Sequence, residues 1–359
     1  MTLVLAIGTR KGLFLASSAD GAAWKVDGPQ FLMREVPAVG FVAAPGGGER
    51  LLVGVRSEHW GPTVAHSDDL GETWVEAESA AVRFPDDTDA ALERVWQLQG
   101  DPARPGLVWA GCEPTSLWRS DDSGETFSHV RGLWDHPHRP WAPGFGGAAV
   151  HTILPDPSSA RVTVAMSTGG VYVSDDGATG WTPHNQGISA KFFPDPYPEF
   201  GQCVHKVAVD AAGPDRMYAQ NHHGVYRTDD SGSTWTSIAD GLPSDFGFFV
   251  LSSPRTPGTA WVMPIENGDS RIPVGGRMRL HRTRDAGATW TELGAGGLPD
   301  ECYAVALRDA ACVDQGDPTG VYVGTRDGVV YASPDEGDSW QVVADHLPDV
   351  LSLRAAELP

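Results

Sequence analysis

Residues 67–74 read SDDLGETW and residues 228–235 read TDDSGSTW. A metal loop or catalytic motif is normally needed once, so an acidic, glycine-centred octapeptide appearing twice asks for an architectural reading. Five more copies exist: SSADGAAW (17–24), SDDSGETF (120–127), SDDGATGW (174–181), TRDAGATW (283–290) and SPDEGDSW (333–340). Successive starts lie 50, 53, 54, 54, 55 and 50 residues apart, the period of a repeat architecture. The first copy is degenerate, with Ala19 at the third position, and the fourth has its glycine displaced to Gly177.

Each copy has a similar frame. An alternating strand, a turn and a second strand lead into it, as in MYAQNHHGVYRTDDSGSTW (217–235). A further apolar strand closed by a turn lies upstream, as in VHTILPDPSSA (150–160), and the tryptophan opens a short strand downstream. Four strands per unit make the blade of a β-propeller. The octapeptide is then the hairpin between the third and fourth strands. Its Asp accepts the turn's own N–H groups, its Gly supplies a positive φ, and its Trp packs into the seam of the blade. A calcium loop would space more oxygen ligands and end in a distal Glu, so the aspartates read as structural.

Seven boxes give an all-β, seven-bladed β-propeller with four-stranded blades, a single domain over residues 1–359. LVLAIGT (3–9) reads as a second strand, and VLSLRAAEL (350–358) as an innermost strand without a blade of its own. The C-terminal strand is therefore predicted to pair beside residues 3–8 and close the ring, leaving no open edge.

The chain has 26 basic and 47 acidic residues, a net charge of -21, which argues against nucleic acid or an anionic membrane as a partner. Four of the basic residues are lysine, so most positive charge sits on guanidinium groups suited to carboxylate or phosphate. Four cysteines show no CxxC spacing, no apolar run has the length of a membrane span, and the N-terminal apolar stretch lacks the basic region of a signal peptide. A cytoplasmic location is expected. No P-loop or dinucleotide fingerprint appears.

The octapeptides resemble the Asp-box, or bacterial neuraminidase repeat (BNR). That superfamily includes sialidases, endoglucanases of the xyloglucanase type, sortilin-like receptors and the photosystem II assembly factor. VWQLQGDP (95–102), LWDHPHRP (133–140), GQCVHK (201–206), QNHHGVYR (220–227) and GLPSDFGF (241–248) are similar to bacterial glycosyl-hydrolase or exo-α-sialidase-like BNR proteins. The resemblance covers essentially the whole chain and implies a glycosyl-hydrolase-like propeller. Typical sialidases have six blades and an Arg-Ile-Pro motif before the first box; here Arg271-Ile272-Pro273 lies in the sixth blade and reads as a coincidence.

Strand direction alternates within a blade, so the turns after second strands share a face with the connections between blades, opposite the boxes. Those turns place Arg10, Arg56 with Glu58, Glu113, Ser167, His222, Glu266 and Arg326 around the channel mouth. Arg326, Arg10 and Arg56 fall on three consecutive blades and suit an anionic group, unless each pairs with a loop carboxylate. The connection 133–151 carries Asp135, His136, His138, Arg139, Trp141 and His151, and the connection 191–205 ends in Cys203 and His205.

Glu113, Asp135, Glu58 and Glu266 are the candidate catalytic carboxyls, since glycoside hydrolysis needs two across the scissile bond. Arg10, Arg56, Arg326, His136, His138, Trp141, His151, His205 and His222 are the candidate ligand-binding set. His151, His205 and His222 could hold a divalent transition metal, act as acid/base groups or simply line a polar channel; no other cofactor is indicated. The reading is a glycosyl-hydrolase-like protein binding a small anionic or sugar-like ligand, a small molecule or glycan. The alternatives are a non-catalytic scaffold with a protein partner, and a metal-dependent enzyme using the histidine-rich sector.

Overall fold

The computed structural model describes residues 2–76, 81–142 and 147–358. It contains seven four-stranded antiparallel sheets, each ordered from an innermost to an outermost strand. Blades two to seven start on Glu35–Ala43, Arg94–Gly100, Val150–Pro155, Val204–Asp210, Val250–Ser252 and Ala311–Val313. Val350–Leu358 is the innermost strand of blade one, paired antiparallel to Thr2–Thr9 from Thr2↔Leu358 to Ile7↔Leu353. The ring is thus closed as the strand order required.

Apolar clusters fill the seams between blades. Leu5 and Ile7 of blade one pack with Tyr322 and Val330 of blade seven, and Trp109 and Leu117 of blade three pack with Val164 and Tyr172 of blade four. Burying such side chains is worth roughly 1.5–3 kcal/mol each. Close approach needs glycine at some seams: a Cβ on Gly111 would lie 2.3 Å from the carbonyl oxygen of Val150 in the next blade.

The octapeptide turns are held by a local network. In the second copy the Ser67 hydroxyl donates to Asp69 (2.7 Å) and accepts the Gly71 N–H (2.7 Å), while Asp69 also accepts the Thr73 N–H (2.8 Å). These bonds, the Thr73 hydroxyl first, pull Asp69 down to about 2. The residue before the glycine shares its left-handed conformation, as at Leu70 (φ 56°) and Gly71 (φ 86°). Two departures from the sequence reading stand out. The first turn keeps its aspartate, because Asp20 takes the Ala22 and Ala23 N–H groups and Ser18 takes that of Gly21. Some of the tryptophans also bind across blades as well as packing: Trp235 Nε1 donates to the His184 carbonyl of blade four, and Trp74 Nε1 to Gln30 of blade one.

Candidate functional site

A cavity of ≈ 830 Å³ opens on the face opposite the octapeptide turns and receives side chains from every blade, among them Arg10, Glu35, Trp96, Thr168, His205, Phe248 and Arg308. β-Bulges aim part of this lining. The innermost strands of blades three, four and five each slip register near their start, at Trp96, His151 and His205. A bulge of this kind re-aims the side chain it carries. Trp96 and His205 line the cavity, whereas His151 is buried beside it, with Nδ1 3.3 Å from the Thr152 hydroxyl.

The floor is a charge cluster built from three blades. Asp309 of blade seven accepts from Lys206 Nζ of blade five (2.8 Å) and from Arg354 of blade one (2.8 Å). Lys206 also donates to the His151 carbonyl at 3.3 Å. Asp309 stays ionised: burial would raise its pKa, but the adjacent cations outweigh that and lower it. Arg308 sits next to this cluster with its guanidinium carbon 5.8 Å from the rings of both Trp96 and Phe248. Among the described residues the Arg308 guanidinium makes no ion pair and no hydrogen bond, and its Nε is buried without a partner. Three cations, Arg308, Lys206 and Arg354, therefore face one carboxylate, leaving two positive charges at the bottom of the channel.

The walls differ in sign. Arg10, Arg56 and Arg94 all approach Glu35 at 3.3–3.5 Å, and Arg326 and Arg10 reach Asp349 at 2.6 and 3.5 Å. The three predicted arginines thus stand on consecutive blades, and each is paired with a loop carboxylate. Arg10 and Arg326 line the cavity; Arg56 reaches it through Glu35. Across from them, blade six contributes Asp245, Glu266 and Asp269 with Arg271. The Arg271-Ile272-Pro273 motif read as a coincidence therefore does put its arginine in the cavity.

The structure separates the remaining candidates. Glu266 lines the cavity and accepts the Gly275 N–H at 2.9 Å. Glu113 lies behind Trp96, whose Nε1 donates to it at 3.0 Å, and burial raises its pKa. Asp135 follows the short helix Arg131–Trp134 and pairs with Arg131 at 2.8 Å, outside the cavity lining. Glu58 is exposed in a turn and also lies outside it. His136, His138 and Trp141 form an aromatic knot around Tyr172, whose hydroxyl is 2.9 Å from His138 Nδ1 and accepts from Trp141 Nε1 at 3.0 Å. His138 stacks on Phe200, so this part of the connection packs on itself, and among its described residues only Ala142 lines the cavity. Residues 143–146 of the same connection lie outside the described residues.

His205 and His222 come together, with ring centroids 5.6 Å apart. Their third partner is Cys203 rather than His151. Burial holds both imidazoles below the usual histidine range, so they are neutral near pH 7. Sequence reading missed Arg308, Asp309, Lys206 and Arg354. Arg308-Asp309 sits in a turn before a three-residue strand and reads locally as solvent-exposed.

The chain is a seven-bladed β-propeller with a polar, aromatic-walled cavity at one end of its channel. No family model matches it. A xyloglucanase of Hypocrea jecorina is 27% identical over 301 residues, covering 71% of this chain and 32% of that protein. An oligoxyloglucan-reducing end-specific xyloglucanase of Emericella nidulans is 25% identical over 253 residues, 61% of this chain and 29% of the other. The chain thus spans about a third of the length of the curated relatives it matches. Among solved structures, an ancestral GH74 enzyme matches with TM-score 0.58 at 17% identity, over 86% of this chain and 38% of that one. YCF48 from Cyanidioschyzon merolae matches with TM-score 0.57 at 16% identity, over 88% and 86%. At these identities the structural matches speak for the fold.

Proposed function

We propose that the channel-mouth cavity binds a small, sugar-like ligand bearing an anionic group, and that hydrolysis of a glycosidic bond is the reaction it serves. The observation that carries this is Arg308, a partly buried guanidinium with an enclosed, unpartnered Nε and no ion pair among the described residues, beside a floor already in cationic excess. A charge drawn out of water without its partner is costly, and a bound carboxylate would supply that partner in the bidentate geometry guanidinium favours. Trp96, Phe246 and Phe248 offer apolar faces for a sugar ring, and Asn267 and Asp269 offer polar groups for its hydroxyls. The xyloglucanase relatives support a glycan ligand.

For hydrolysis the carboxyls that line the cavity, apart from Asp309 of the floor, are Glu266, Asp245 and Asp269 on one wall and Glu35 on the other. Glu113 and Asp135, first choices from sequence, lie outside that lining. Calorimetric titration with D-glucuronate and D-glucose tests the binding. Wild type should bind the acid and prefer it over the neutral sugar, and Arg308→Met should lose that preference; equal affinities in wild type end the reading. Turnover of an aryl glucuronide, abolished in Glu266→Gln or Asp245→Asn, tests the reaction. Absence of turnover across a panel of glycosides would reduce the proposal to binding.

A further inference from the structure

One corner of the cavity carries donors that a sugar does not need. Cys203 ends the connection into blade five, His205 is the bulged residue of its innermost strand, and His222 sits in the turn after its second strand. The backbone locks them together: Val204 pairs with Asn221, and the His222 N–H donates to the Cys203 carbonyl at 2.9 Å. One ligand atom from each lies within 4.8 Å of the others.

The tautomer of His205 is fixed by its neighbour. Its Nδ1 lies 2.6 Å from the Gly247 carbonyl oxygen, which can only accept, so Nδ1 carries the proton and Nε2 presents a lone pair. Metal-bound histidines are oriented by this kind of outer hydrogen bond. His222 is held edge-on by Phe246 and Phe192, and among the described residues its ring nitrogens have no hydrogen-bond partner. Neither ring needs to lose a proton to ligate.

We propose that Cys203, His205 and His222 form a mononuclear zinc-type site whose fourth position opens into the cavity. A sulfur and two imidazole nitrogens suit a borderline-soft ion and disfavour Ca²⁺ or Mg²⁺, which take oxygen. With Zn–S near ~2.3 Å and Zn–N near ~2.0–2.1 Å, tetrahedral ligands stand about 3.3–3.6 Å apart. Closing from within 4.8 Å to that spacing is the movement that ion binding requires of the three side chains. On binding, the Cys203 S–H bond breaks, the electron pair goes to the Zn–S bond and the proton leaves to solvent. Burial makes that thiol reluctant to ionise, while Arg308 beside it favours the thiolate. Three protein ligands and one open position are the pattern of catalytic rather than structural zinc. That the open position takes the ligand's anionic oxygen rests on the function proposed above.

The test is Co²⁺ titration of the chelator-treated full chain, with circular dichroism confirming the fold. Wild type should take up about one equivalent, release about one proton, and show sulfur-to-cobalt charge transfer with ligand-field bands of tetrahedral intensity. Cys203→Ser should lose the charge-transfer band. His222→Ala, at a half-buried site where folding should survive, should weaken binding by about 100-fold or more. Folded wild-type protein that takes up no Co²⁺, or an unchanged affinity in His222→Ala, overturns the site. Titrating the metal-free protein with D-glucuronate separates the two proposals. Binding that persists there while Co²⁺ is refused removes the metal and leaves the anion pocket standing.

Discussion

The two faces of this ring treat charge in opposite ways. On the octapeptide face Arg50 is a deeply buried cation, its side chain 3% exposed. It is met by Asp68 at 2.6 and 2.8 Å and by Glu125 of the next blade at 3.3 Å. Neighbouring turns are stitched in the same way, Gln30 to the Gly71 carbonyl and Arg227 to that of Ala286. On the cavity floor Arg308 is partly buried, with its Nε enclosed, and has no such partner among the described residues. Buried polar groups in folded proteins are nearly all paired, so an unpaired one needs a reason. A completed network holds a ring together; an incomplete one marks where something else belongs.

The largest effect should come from removing residues 350–358, which strips blade one of its innermost strand and the channel floor of Arg354. Cooperative unfolding should be lost in a thermal scan. A truncated chain melting within a few degrees of wild type would mean that the ring does not depend on this closure.

Asp309→Asn comes next. It leaves Lys206 and Arg354 without their shared carboxylate, and breaking a buried pair costs about 3–5 kcal/mol. Urea unfolding reads the loss directly. D-Glucuronate should recover part of it if the cavity takes anions, and no recovery would count against that.

Acid should undo the mouth before the turns. Burial lowers His205 and His151 below 6.5, and His223 to about 4. The unfolded chain therefore binds protons below about pH 6.5 that the folded chain refuses, so stability is full above that pH and falls as pH drops toward about 4. The turn aspartates are lowered from 3.8, so their contribution persists until the pH falls below that value. Melting temperatures should decline from pH 6.5 to 4, and a plateau through that range contradicts the assignment. The smallest effect is local: Asp122→Ala removes one turn's acceptor and should cost about 1 kcal/mol.

What could be read in advance follows from how local each interaction is. Ser67, Asp69 and Thr73 bond within seven residues, so the turn, the period and the blade count were legible, as was closure by 350–358. Arg10, Arg326, His205, His222 and Glu266 were legible as mouth residues because strand direction assigns every second turn to one face. Their partners were not. Glu35 gathers arginines from three blades, and Lys206 meets Asp309 across 103 residues of sequence, contacts that exist only once the ring is closed. Asp135 and the His136–His138–Trp141 group were drawn toward the mouth by composition, but local pairing with Arg131 and Tyr172 holds them elsewhere.

The central contrast reduces to two arginines. Urea unfolding of the ligand-free protein should be compared for wild type, Arg50→Met and Arg308→Met. Arg50→Met should lose about 1–3 kcal/mol, because it removes hydrogen-bonded partners. Arg308→Met should be as stable as wild type or more so, because replacing an unpaired, partly buried charge by an apolar side chain relieves it. A loss at Arg308 as large as that at Arg50 would show that its guanidinium is already satisfied within the fold, and the case for an anion in the channel would fall.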